Sequence, residues 1–282
     1  MKAIITIITT LALFFVSTIN AQEFTGKAIY KTSQKSSFKF GKDQKGVDEK
    51  MQEELRKRIQ KMNQKTFILE FDKNSSTYKE EEQIKAPKPQ AGSQVNIISF
   101  GGSGSADIYY KNITENRFAN QTEIQGKRFL VKDKLKDIKW ELSSETKNIG
   151  NYTCYKATYS KEVENINMTI KNGTSVEEKN KETIITTAWY TTQIAISNGP
   201  KNYQGLPGLI LEINDGKKMI VCTEIILNPS DKISIQEPEK GKVVSQKKYI
   251  KIQKQKTQEM MDKMKGRNGL DMGNGINVKF GG

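Results

Sequence analysis

LILEINDGKKMIVCTEIIL, residues Leu209–Leu227, decides the fold class. Two runs rich in Leu, Ile and Val flank Asn214-Asp215-Gly216. Asp-Gly between such runs is a strong hairpin signal, because glycine accepts the positive φ that tight turns need. With Asp215-Gly216 as a two-residue loop, Leu209 and Leu211 face Ile220 and Cys222 across the pair. That puts Cys222 on the core face. A lone hairpin is marginal in water, so further strands must cover it.

The chain upstream supplies them. Phe24, Ala28 and Tyr30 punctuate a first strand, and Phe67, Leu69 and Phe71 alternate on one face of another, with a turn beginning at Asn74-Ser75. From Asp107 the stretches 106–124, 126–142, 145–163 and 182–196 read as strands or strand pairs divided by polar turns. Their Tyr, Phe, Trp, Ile and Thr content favours pleated structure over helix. The polar stretch 160–182 reads as a long hairpin excursion. These patterns predict an α+β chain, mainly β, with an antiparallel sheet and one or two packed helices.

The helices are outside the strand runs. Val47, Met51, Leu55, Ile59 and Met62 form a narrow apolar stripe on a charged helix at about 44–64. Residues 246–265 form a second, basic helix, with Ser245 to cap its start and Gly266 to end it. Prolines, glycines and serines mark a flexible loop at about 86–105. The glycines of GGSGS within it lack the Lys-Ser/Thr that phosphate cradling needs. The domain is therefore expected to span 22–240, with the basic helix and a Gly-rich tail over 241–282.

Met1-Lys2, an apolar run and a small residue at Ala21 have the form of a secretory signal peptide cleaved after Ala21. The mature chain is then exported, to the periplasm or beyond. Two cysteines remain, Cys154 and Cys222. They are the candidates for a disulfide; the alternative is two buried thiols, and sequence alone does not set the distance between them.

The chain contains no histidine. This removes the commonest general base, the Ser-His and Cys-His pairs and most zinc sites. No catalytic residue, metal site or cofactor is assigned. Glu212 and Asp215 are the acids nearest the hairpin, but one belongs to a solvated strand face and the other to the turn. Trp189 and Tyr190, beside Gly199-Pro200, are candidates for lining a ligand groove, with burial in the core as the alternative. The formal charge of +14 favours weak attraction to anionic surfaces. No aromatic residues interleave the basic run, so specific nucleic-acid binding is not expected.

WYTTQIAISNGPKNYQGLPGLILEI, Trp189–Ile213, contains Gly205-Leu206-Pro207-Gly208-Leu209-Ile210. With the upstream KDIKWELSSETKNIGNYTCYKATY, it resembles the GLPGLI family of exported proteins from Bacteroidetes. The resemblance is weakest at 86–105 and after about 240. Thr192 and Ala195 stand where a proline is common in that family, and Cys154 matches its upstream cysteine. The resemblance implies a curved sheet similar to the half-barrels of periplasmic lipoprotein carriers. It implies no established activity. The expectation is a non-catalytic envelope protein that binds or carries a lipid, another apolar or extended ligand, or a partner protein. The alternatives are an unusual hydrolase without histidine, and a structural or adhesive component. Gly205, Pro207 and Gly208 are expected to shape a corner rather than a site.

Overall fold

The computed structural model describes residues 24–34, 64–81, 107–171, 174–265 and 276–279. The signal peptide expected at 1–21, all but the last residue of the helix expected at 44–64, and the loop expected at 86–105 lie outside the described residues. Thirteen strands are described: β1 (Gly26–Gln34), β2 (Lys65–Phe71), β3 (Ser75–Glu80), β4 (Ile108–Asn112), β5 (Arg117–Ile124), β6 (Lys127–Lys134), β7 (Glu141–Ile149), β8 (Tyr152–Lys171), β9 (Thr174–Thr191), β10 (Leu209–Asn214), β11 (Lys218–Leu227), β12 (Lys242–Val244) and β13 (Ile276–Lys279). One helix, α1, covers Gln246–Lys265.

They form a single open sheet in the order β12-β6-β5-β4-β3-β2-β1-β11-β10-β9-β8-β13, with β7 also on β8. The pairing is antiparallel except for β12, which lies parallel to β6. The polar excursion is the long β8–β9 hairpin, paired from Tyr155↔Tyr190 to Lys171↔Thr174.

The β10–β11 hairpin forms, but its register differs from the expected one. Asn214 faces Met219 and Ile213 faces Ile220, so the turn takes four residues. Asp215 N–H bonds to the Lys218 carbonyl at 3.1 Å. The Asp215 carboxylate adds bonds from the amides of Lys217 and Lys218 at 2.9 and 2.6 Å. A carboxylate that can take two amides favours the wider turn. The shift is by two residues, so no side chain changes face, and Cys222 stays inward, opposite Tyr30.

The inward face is continuous. Ala28, Tyr30, Leu69, Phe71, Tyr78, Tyr109, Phe118, Phe129 and Val131 join Ala188, Tyr190, Ile210 and Ile213 in one buried cluster. The sheet curls around this core, and the connection 192–208 between β9 and β10 fills the hollow. Ile194, Ile196 and Leu206 of that connection are buried in the same cluster. Helix α1 covers the β5–β6 side. Its Tyr249 packs edge-on to Phe129 at 5.8 Å, and its hydroxyl lies 3.4 Å from that of Thr122. Ser245 caps the helix by accepting the Lys248 amide at 3.3 Å, and Asp133 accepts that of Gln246 at 3.0 Å. The first turn of α1 contains no acid of its own, so β6 supplies the negative charge that the helix start favours.

One buried lysine ties the filling segment to the far side of the sheet. Lys111 on β4 is fully buried, and its Nζ donates to the carbonyls of Gly199 at 2.6 Å and Tyr203 at 3.0 Å. On β3, Ser76 reaches Asn198 Oδ1 at 3.3 Å. These strands stand four and five places from β10 in the sheet order. Replacing Lys111 with Met keeps much of the volume and leaves two inward carbonyls without their donor. A buried unsatisfied group costs about 1–3 kcal/mol, partly offset by no longer burying an amine. A loss of about 2 kcal/mol is expected in urea unfolding. Burial also holds the Lys111 pKa well below its ordinary value. The unfolded chain then binds the extra proton, so this residue's contribution to stability rises with pH towards the ordinary lysine range. The gap between wild type and Lys111→Met should widen on the alkaline side.

Candidate functional site

Glycines at 205 and 208 serve two different constraints. Gly205 has φ of +92° with open space around it; a Cβ would come no nearer than 3.8 Å to the Trp140 ring. Gly208 has no unusual φ, but a Cβ there would sit 2.0 Å from the Thr191 carbonyl oxygen. Between them, Pro207 heads a tight bend closed by the Gly208 amide on the Leu206 carbonyl at 2.8 Å. The missing donor of Pro207 is therefore not needed. Leu206, Leu209 and Ile210 are buried. The Trp140 indole N–H donates to the Gln204 carbonyl at 2.9 Å, the Gly205 amide donates to Ser197 Oγ at 3.1 Å, and Tyr30 Oη donates to the Ile210 carbonyl at 2.7 Å. The stretch Gly205–Ile210 is the corner at which the filling segment turns back into the sheet.

Trp189 and Tyr190 do not line one groove, because neighbours on a strand point to opposite faces. Tyr190 is buried inward and packs on Tyr155 at 6.0 Å. Trp189 is half-buried on the other face, under the Lys147 ammonium at 4.5 Å from its ring centroid. That ammonium also pairs with Glu212 at 2.7 Å. Glu212 thus meets a lysine, while Asp215 is engaged by its own turn.

Cys154 and Cys222 are both free thiols and buried. Burial pushes Cys154 up to about 11 and Cys222 up to about 12, the latter helped by the charge of Cys154. Both are protonated at neutral pH and poor nucleophiles.

A different set of charges gathers at one end of the inward face. Register places Lys218 beside Gln34, Thr32 beside Lys65, Glu80 beside Phe67, and Ile108 beside Gln121. Lys218, Lys65, Glu80, Asp107 and Thr122 therefore follow one another along the rim from β11 to β5. Lys201 reaches the same rim from the filling segment, at φ of +50°. Lys65 pairs with Glu80 at 2.7 Å. Asp107 Oδ1 is buried without a hydrogen-bond partner among the described residues. Burial pushes the Asp107 carboxyl up to about 6, against a hydrogen bond from Thr122 and the charges of Lys201 and Lys65. Burial lowers Lys218 to about 8, assisted by the like charges of Lys201 and Lys65. Lys201 is open to solvent, yet set deep enough among protein atoms that lost hydration lowers it too; Asp107 opposes this. The sequence reading missed this group. Single charges on strand ends give no signal until five strands are in register.

A family model described as a protein of unknown function (Porph_ging) matches residues 140–212. The match runs from Trp140, which holds Gln204, through β7–β9 and the filling segment to Glu212. No curated protein matches the chain. Two solved structures of PNGF-II, from different space groups, are similar at 13% identity and a TM-score of 0.46, covering 82% and 83% of this chain and 33% of theirs. The chain spans about a third of the length of those relatives.

The two glycines should separate in a stability assay. Gly208→Ala forces a side chain into backbone and should cost more than about 3 kcal/mol, or prevent folding. Gly205→Ala has room and suffers only its positive φ, about 1–2 kcal/mol. Equal melting temperatures for the two variants would contradict the geometry. The thiols give a separate check. Alkylation of the native protein should leave both unmodified, and alkylation after denaturation without reductant should label both. A denatured protein that takes no label carries a Cys154–Cys222 bond instead.

Proposed function

We propose that the chain is an exported cell-envelope protein of the GLPGLI type that acts by binding, and that it binds at the polar rim formed by Lys65, Lys201, Lys218 and Asp107. The observation that carries this reading is a contrast in satisfaction. The segment 192–208 is tied to its surroundings by hydrogen bonds from Lys111, Ser76 and Trp140, whereas the rim holds a buried carboxyl oxygen, Asp107 Oδ1, without a hydrogen-bond partner among the described residues. Buried polar groups without partners are rare and call for an occupant or a role. The hollow is filled by the chain's own side chains, which favours a ligand or partner held at the rim over an acyl chain held inside. Export is supported by the form of residues 1–21, and the net positive charge would assist retention near anionic envelope surfaces.

A second reading is favoured by one observation. An acid raised to about 6 and an amine lowered to about 8 share the rim, and such divergent pairs serve acid–base chemistry. Native mass spectrometry of the protein purified from its own envelope tests both. The binding reading expects a co-purifying mass that is absent from a Lys201→Met/Lys218→Met variant. Identical spectra for the two proteins would sink it. A supplied ligand released with a changed mass, and released unchanged by Asp107→Asn, would establish the catalytic reading instead.

A further inference from the structure

Helix α1 has two sides of different chemistry. Tyr249 and Ile252 turn towards the sheet and pack against the buried cluster. On the solvent side, Lys247, Lys248, Lys251, Lys254, Gln255 and Gln258 are all exposed. At 3.6 residues per turn these positions fall within about a third of the helix circumference, so the lysines form a ridge. No acid interrupts that ridge among the described residues. Asp133 and Glu259, which border it, are engaged: Asp133 accepts the Gln246 amide at 3.0 Å, and Glu259 accepts from Lys256 at 2.6 Å and from Gln255 at 3.1 Å. Lys242, exposed on β12, continues the cationic run towards the helix start, and its neighbour Val243 is 63% exposed. Like charges one turn apart, such as Lys247 and Lys251, destabilise a helix. An external array of anions removes that repulsion.

We propose that the lysine face of α1 is a docking surface for an anionic lipid bilayer. An interfacial helix ordinarily lays its apolar face into the headgroup region. Here that face is occupied by the protein itself, so the attachment is electrostatic, reversible and without insertion of the helix. Shape and composition select the partner. The lysines stand on a convex ridge with no aromatic side chain among them, whereas single-stranded nucleic acid is tracked by grooves that carry aromatic platforms. A planar array of phosphates meets all four ammonium groups at once, and the long lysine stems let each reach a headgroup of its own. Val243 adds an apolar contact that a bilayer takes up and a soluble polyanion does not. The inference goes beyond the binding reading and does not rest on what the rim holds.

Flotation of the mature chain with mixed phosphatidylglycerol–phosphatidylcholine vesicles, against vesicles of phosphatidylcholine alone, tests this. Only the anionic vesicles should carry the protein, and about 0.5 M salt should release it, because the Debye length is then only a few ångströms. The combined variant Lys247→Gln, Lys248→Gln, Lys251→Gln and Lys254→Gln keeps good helix formers at exposed positions. It should bind the anionic vesicles on the order of a hundredfold more weakly. Lys31→Gln, Lys73→Gln, Lys181→Gln and Lys232→Gln together remove the same charge from other exposed positions and should weaken binding less than about fivefold. Acetylation footprinting of the wild-type protein needs no variant: anionic vesicles should protect the four helix lysines and leave Lys31 and Lys181 reactive. Absence of flotation at low salt, equal losses in the two combined variants, or protection of Lys31 and Lys181 instead overturns the assignment. So does tighter binding of duplex DNA or a sulfated polysaccharide through the same four lysines, which would put a soluble polyanion in place of the bilayer. Failure to float, with a co-purifying mass still present in native spectra, sinks this inference and leaves the binding reading intact.

Discussion

Lys111 is the contact on which the rest of this architecture depends. It is a buried lysine whose amine donates to two carbonyls, those of Gly199 and Tyr203. Desolvating such a group is costly, and carbonyl dipoles compensate only in part. The arrangement persists because of what it joins. The carbonyls belong to Gly199 and Tyr203, the two ends of a short turn within the segment that leaves β9 and returns to β10. That anchor adds to the bonds that β10 makes to the Ile194 and Asn198 carbonyls, and it draws the segment carrying Ile194, Ile196 and Leu206 against the inward face of β4. Trp140 and Ser197 bind the following residues, but both stand on the β7–β10 side. Lys111, with Ser76 on β3, links the segment to the opposite wall.

The same clamp sets the rim. Lys201 lies between the two carbonyls that Lys111 holds, within a turn closed by the Tyr203 amide on the Pro200 carbonyl at 3.1 Å. Its left-handed backbone is a conformation that non-glycine residues adopt only where the surroundings fix it. With both flanks held, the side chain of Lys201 is carried to the rim beside Lys218 and Asp107. One buried lysine thereby positions an exposed one. The interior clamp and the surface charge cluster are parts of one construction, with structural groups satisfied internally and the remainder left at the edge.

The fold was largely legible in the sequence because most of it is local. Asp215-Gly216 between apolar runs announces a hairpin, Phe67, Leu69 and Phe71 announce a half-buried strand, and Ser245 announces the start of α1. The register of the β10–β11 pair was not legible, since the preference for a four-residue turn comes from the carboxylate of Asp215 reaching two amides. The divergence of Trp189 and Tyr190 follows from strand alternation alone and was readable, but their adjacency in sequence suggested a shared groove. Lys111 was illegible for a different reason. A lysine in a strand such as Ile-Tyr-Tyr-Lys-Asn looks like a solvated face, and only the return of a segment some ninety residues later makes it internal.

The position of the family stretch relative to the rim bears on what a family-level likeness can convey. The matched region, 140–212, holds the filling segment, its corner glycines and the tryptophan that supports them. Of the rim residues it contains only Lys201; Lys65, Glu80, Asp107 and Lys218 all lie outside it. The stretch Gly205–Ile210 is constrained by backbone approach at Gly208, by left-handed geometry at Gly205 and by burial at Leu206, Leu209 and Ile210. None of these constraints refers to a ligand. A chain can therefore share the corner and the curled sheet while presenting a different set of charges at its edge. The motif specifies how the hollow is closed, and the strand ends around it specify what is offered to the surroundings.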